Sequence, residues 1–163
     1  MRGFTSCSMP PLIPFRLAAS SVRMSKPLEE GSELTLDFQK LATVARAGAS
    51  VVPVVVQNAD SKEVLIVAYV NEEALAKSFE LGKAVFWSTS RNELWIKGLS
   101  SGDFLELVEV RVNCEQNSLL YLVRPVGVGV CHTREERSGK ARAGCYYRRV
   151  DEAGNLQFLS EEA

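Results

Sequence analysis

Three cysteines, Cys114, Cys131 and Cys145, stand with sixteen and thirteen residues between them, and His132 follows the second directly. Three thiolates and a water complete the tetrahedral geometry that zinc prefers, and a catalytic zinc keeps that fourth position open. The metal lowers the pKa of the water there to about 7. An imidazole beside a ligand is then placed to move protons at neutral pH. Spacing alone leaves a second reading open, three buried or idle cysteines, because no Cys-x-x-Cys pair is present. His132 is the one histidine of the chain. Sites built on two imidazoles of one chain, such as the two-histidine zinc protease motif, are therefore excluded.

Two further stretches carry candidate chemistry. Asn113, Glu115 and Asn117 alternate around Cys114. On an extended strand they would share one face, with Cys114 on the other. Their oxygens suit a hard cation such as Mg²⁺, and the same residue types are ordinary in a solvated turn between strands. The run Trp95-Ile-Lys97-Gly98-Leu-Ser100-Ser101-Gly102 follows Arg91 closely. Its glycines and hydroxyls make a loop whose N–H groups can approach an anion, and Lys97 and Arg91 add charge for a phosphate. The plainer reading is a β-turn with a core-packed Trp95 and a solvated lysine.

The elements that must position these residues follow from periodicity. Phe38, Leu41, Val44 and Ala45 line one face of a helix that stops at Gly48. Val51–Val56 is a β-branched run, and Pro53 makes it an edge strand or a strand start. Turn chemistry at 58–61 leads to a returning strand at Val64–Tyr69. Asn71 caps a helix with Glu72 and Glu73 in its first turn, ending at Gly82. Strand-like segments follow at Ala84–Ser88, Glu93–Lys97, Phe104–Val112, Leu119–Val123 and Tyr146–Val150. The expected fold is α+β, a mostly antiparallel sheet with two helices near the start.

The 163 residues are 46% hydrophobic and 24% charged, enough for one buried core and incompatible with wholesale disorder. A formal charge of −1 argues against a nucleic-acid polymer as partner. No apolar run approaches the ~20 residues of a membrane span. Residues 1–33 read as a disordered leader, with residues 34–163 as the single domain. The leader has no acidic residue before Glu29, is rich in serine and contains Arg2, Arg16 and Arg23. It resembles an organelle transit peptide, which would imply a plastid. An over-long start fits as well, since Met24 opens an ordinary cytoplasmic N-terminus. Thirteen residues follow Val150, too few for a further domain, so a single activity is expected.

Taken together, these stretches resemble the phosphoribosyl-AMP cyclohydrolase family of histidine biosynthesis. The likeness runs through Val52-Pro53-Val-Val-Val-Gln57, Val64–Leu75, Gly82–Arg91, Leu94–Gly98 with Ser100-Ser101-Gly102, the Cys114 region, Cys131-His132-Thr133 and Cys145-Tyr146-Tyr147-Arg148. The resemblance implies hydrolysis of the N1–C6 bond of the adenine ring in phosphoribosyl-AMP. It implies a homodimer with one zinc per subunit at the interface, held by Cys114 of one subunit and by Cys131 and Cys145 of the other. It gives His132 a role in proton transfer and makes Arg91, Trp95, Lys97, Ser100, Ser101 and Gly102 the substrate-binding part.

Three departures stand out. The family's Asp-Cys-Asp-x-Asp magnesium stretch reads Asn113-Cys114-Glu115-Gln116-Asn117 here, and lost negative charge weakens a Mg²⁺ site. The interval between the last two cysteines is longer, and its charged 133–144 segment reads as an exposed loop. Its Arg134, Arg137, Lys140 and Arg142 either reach a substrate phosphate or form a solvated charge run. Thr89 replaces a usual arginine. The rival to the enzyme is a non-catalytic descendant that keeps zinc as a staple and binds a nucleotide or a partner. The Cys131-His132 pair and the Trp95–Gly102 loop speak against it, because a staple needs neither.

Overall fold

The computed structural model describes residues 25–46, 48–135 and 138–159. Most of the expected leader, and Arg137, fall outside them. Eleven elements follow in order: α1 (Ser25–Glu30), α2 (Lys40–Arg46), β1 (Val52–Asn58), β2 (Val64–Val70), α3 (Glu72–Leu81), β3 (Val85–Ser88), β4 (Glu93–Ile96), β5 (Leu105–Val112), β6 (Leu119–Pro125), β7 (Arg148–Val150) and β8 (Leu156–Phe158). The fold is α+β, with a four-stranded sheet in the order β2-β1-β6-β5 and two separate hairpins, β3-β4 and β7-β8. All pairs are antiparallel except β1 with β6. Among the described residues no helix is long and apolar enough to cross a membrane.

The capping of α3 is as its residues dictate. The Asn71 side chain accepts from the Ala74 N–H at 2.8 Å, and Gly82 closes the helix at φ 61°. Within this helix Ser78 is buried, and its Oγ donates to the Ala74 carbonyl and accepts from the Val85 N–H. One hydroxyl thus ties α3 to β3 and leaves no polar atom orphaned.

Pro53 lies at the start of β1 but not on an edge. The parallel ladder with β6 begins only at Val54, opposite Leu119, so the missing N–H falls before that pairing starts. Val54 and Val56 are fully buried, as are Phe86 and Tyr121. Phe86 joins the β3-β4 hairpin to the sheet, its ring 6.2 Å from that of Tyr121 and 5.3 Å from that of Trp95. Each such aliphatic side chain contributes about 1.5–3 kcal/mol by leaving water.

Two expectations need correction. The apolar face expected around α2 is largely unburied: Val44 is buried, whereas Phe38 and Leu41 are more than 70% exposed. Residues 25–33, grouped with the leader by composition, contain α1 and a strap against the far end of the chain, described below.

The loop after β4 depends on one glycine. Gly98 has φ +87°, and a Cβ there would lie 2.5 Å from the backbone of Asp103 and Phe104. The loop folds back on itself, with the Gly102 N–H donating to the Gly98 carbonyl at 2.8 Å. Both the left-handed backbone and the contact penalise any side chain. Gly98→Ala is expected to lower stability by more than about 2 kcal/mol. Urea unfolding of the two proteins checks this, and coincident midpoints would show that the loop is not under this constraint.

Candidate functional site

Two loops bring Cys131 and Cys145 together. Val130 and Cys131 both donate their N–H groups to the Arg142 carbonyl at 3.0 Å, and Arg142 returns one to Thr133. Cys145 is pinned by its own N–H to the Leu65 carbonyl on β2, at 2.7 Å. Gly144 packs there too, with room for no more than a close van der Waals contact against Leu65. Cys131 is buried and Cys145 partly so, and neither forms a disulfide.

A hydrogen bond from Cys145 is the largest influence holding the Cys131 thiol well below its ordinary pKa. The Thr133 hydroxyl, 3.1 Å from the Cys131 sulfur, adds to it. The same thiol–thiol bond, reinforced by burial, pushes Cys145 up. The positive charge of Lys97 opposes that rise. Lys97 is itself buried just beyond β4, so the sequence's expected anion-binding lysine lies within the field of the thiol pair and is not solvated.

Cys114 is elsewhere. It is exposed, in the turn that joins β5 to β6. Cys145 borders β2, and the sheet order places β2 and β5 on opposite edges, three strand spacings of about 4.8 Å apart. The registers add to this: Leu119, next to the turn, is level with Val54, whereas Leu65 is near the far end of β1. One chain cannot bring its three cysteines to one point. Accordingly, no group of three or more His, Cys, Asp or Glu side chains that could hold a metal occurs among the described residues.

Of the two arrangements open for Asn113, Glu115 and Asn117, the turn between strands is the one that forms, and the shared strand face is not. They form a hairpin turn, with Gln116 at φ 55°. The Asn113 side-chain oxygen accepts from the N–H groups of Asn117 and Ser118, both at 3.0 Å. Asn113 Nδ2 donates to Asn117 Oδ1 at 2.8 Å, and Asn117 Nδ2 donates to Glu115 Oε2 at 2.9 Å. Asn side chains close turns in this way, satisfying local N–H groups with their own oxygens. Amide donors thus occupy Asn113 Oδ1, Asn117 Oδ1 and Glu115 Oε2, oxygens that a Mg²⁺ site would draw on.

His132 is exposed, with 79% of its side chain accessible, and its Nε2 is 2.9 Å from Glu29 Oε1. Glu29 belongs to a strap, residues 28–32, held by the C-terminal part of the chain. Arg148 donates to the carbonyls of Leu28 and Gly31, Tyr147 Oη to that of Glu29, and Leu156 N–H to that of Ser32. Arg142 pairs with both carboxylate oxygens of Glu30 at 2.8 and 3.1 Å, and its guanidinium lies 4.2 Å above the Tyr147 ring. Of the charged residues in the 133–144 segment, Arg142 is therefore neither solvated nor free for a phosphate. Arg134 reaches the Gly139 carbonyl within its own hairpin, and Lys140 is exposed.

An open cleft of about 290 Å³ contains Arg91, Trp95 and Ser100 together with Glu93 and Leu99. Arg91 is paired there with Glu93 at 2.8 Å. Ser101 accepts the Asp103 N–H, and Gly102 has φ 80°, so both shape the loop beside the cleft. Trp95 lines the cleft and Lys97, two residues on, neighbours the thiols, so β4 connects the two halves of the site. The structure thus brings together Cys131, Cys145, Lys97 and His132 on one side and Arg91, Trp95 and Ser100 on the other. Only Cys114 and its flanking residues stand apart. Sequence reasoning gave no part to Glu29, which carries no motif signal, and Thr133 was visible only as the residue after Cys131-His132.

Comparison with known proteins gives this arrangement a family. A family model described as phosphoribosyl-AMP cyclohydrolase matches residues 66–147, half of the chain. A protein of that name from Sphingopyxis alaskensis is 44% identical over 115 residues, covering 71% of this chain and 85% of its own length. Another from Hyphomonas neptunium is 44% identical over 107 residues, covering 66% and 75%. One from Haloarcula marismortui is 48% identical over 100 residues, covering 61% and 77%. The family model's match takes in β3 to β6, the cleft and the paired cysteines, and the chain belongs to the phosphoribosyl-AMP cyclohydrolase family.

Proposed function

We propose that the chain hydrolyses the N1–C6 bond of the adenine ring of phosphoribosyl-AMP, a step of histidine biosynthesis, as a zinc-dependent homodimer. The observation that carries this reading is the meeting of Cys131 and Cys145 beside buried Lys97, within the segment that matches the family. Two soft donors held close together, one already biased towards thiolate, suit zinc, and Cys114 of a second copy would complete the set. When bound, zinc supplies Lewis acidity that activates water at neutral pH. The chain's own residues do the rest. Trp95 offers a face for the purine, while Arg91, Lys97, Ser100, Ser101 and the Gly102 backbone offer donors for the two phosphates. As water adds to C6 and the C6–N1 bond breaks, N1 requires a proton, and His132 moves it.

Magnesium has no place in this scheme, because the hydrogen-bonded 113–117 turn argues against a cation there. The test is turnover of phosphoribosyl-AMP by metal-quantified protein, followed by ultraviolet absorbance with and without added Mg²⁺. Zinc-dependent turnover is expected, with less than about twofold stimulation by Mg²⁺ through this turn. Strong Mg²⁺ dependence would mean that the turn opens to accept the cation. A zinc-loaded dimer without turnover would favour the zinc-stapled binding descendant.

A further inference from the structure

We infer that Glu29 is a positioning residue for His132. The inference rests on the proton-transfer role proposed above and adds to it the atom that does the work. Glu29 Oε1 lies 2.9 Å from Nε2 of the ring, on a strap drawn from the other end of the sequence. The strap is not a loose tail. Three side-chain donors, from Tyr147 and twice from Arg148, hold the carbonyls of Leu28, Glu29 and Gly31 at 2.8–2.9 Å. The next residue, Glu30, forms a forked pair with buried Arg142. Arg142 in turn accepts, through its carbonyl, the N–H groups of Val130 and Cys131. The carboxylate of Glu29 and the loop carrying His132 are therefore referred to the same residue.

An exposed imidazole has two tautomers and free rotation about its side-chain bonds, and most of its states are useless for directed proton transfer. A fixed carboxylate accepting from Nε2 selects one tautomer and one ring plane. The nitrogen left without a proton is Nδ1, and it is the atom that exchanges the proton with the reacting molecule. Glu29 lies outside the segment matched by the family model, residues 66–147, so this support is supplied by the flank of the chain and not by the matched core.

His132 is the only histidine, so a full-length protein labelled with ¹⁵N-histidine reports this ring alone. In the neutral ring, the wild-type spectrum should show the proton on Nε2, and Glu29→Ala should lose that preference. The same variant should lower kcat by about 10- to 100-fold with KM changed by less than about threefold. Glu29→Gln keeps an acceptor oxygen and should recover part of both effects. Identical tautomer populations in wild type and Glu29→Ala would overturn the inference, and so would a changed tautomer with unchanged kcat. Full turnover by His132→Ala would remove the proton-transfer role itself and this inference with it. Loss of turnover there, with Glu29→Ala fully active, would remove the inference alone.

Discussion

Two inactive variants, Cys114→Ser and Cys131→Ser, are expected to regain activity when their subunits are mixed. Each alone should lose bound zinc and at least about a thousandfold in turnover, since a serine hydroxyl is a far poorer zinc ligand than a thiolate. The recovery follows from the sheet. Cys114 is on the β5-β6 turn and Cys145 borders β2, at opposite edges, so the proposed three-cysteine site would draw on two chains. In a mixed dimer both lesions then fall in one site and the other site is intact. Random exchange makes about half of the dimers mixed, so the mixture should reach about one quarter of wild-type activity. Cys131→Ser with Cys145→Ser is the control. Both lesions strike the same half of the site, and no pairing of those subunits restores one. Differently tagged subunits show whether mixed dimers form. If they form and stay inactive, the shared site is wrong.

Replacing His132 by alanine should cut turnover by about 10²- to 10⁴-fold, the range for removal of a general acid or base. Zinc content and the unfolding midpoint should not change. The side chain is 79% exposed, and its hydrogen bond to Glu29 is on the surface, so little packing is lost. A zinc-stapled binding protein would show the opposite pattern, no functional effect at this position. Kinetics, metal analysis and thermal unfolding on one preparation separate the cases. A large loss of stability would mean that the strap depends on the histidine, and the kinetic result would then report folding.

Local chemistry made much of this legible. Asn71 and Gly82 delimit α3 in the sequence because both caps act within one turn of the helix. Cys131, Cys145 and Lys97 were named from residue type and resemblance, and they meet in space. Non-local partners were beyond reach. Arg142 reads as a phosphate contact or as one of a run of solvated charges, yet it is buried with Glu30 paired to it and Tyr147 under it. Pro53 allows an edge or a strand start, and the start is what forms: β1 is interior because the partner on its second side arrives late in the chain. The 113–117 stretch was open to a turn from its residue types alone, and it turns through local bonds between the Asn113 and Asn117 amides.

The lone parallel pair in the sheet has a consequence for how the protein is made. β1 meets β2 across a short turn, and β3 meets β4 similarly, so both hairpins can form as soon as they emerge. The other side of β1 waits for Leu119, 65 residues after Val54. Until then an edge of consecutive valines, Val54 to Val56, is exposed on a nascent chain. Such an edge invites pairing with another chain, and closing so long a loop is slow. Synthesis halted before β6 should therefore yield aggregating fragments, with solubility appearing abruptly once residues 119–123 have left the ribosome.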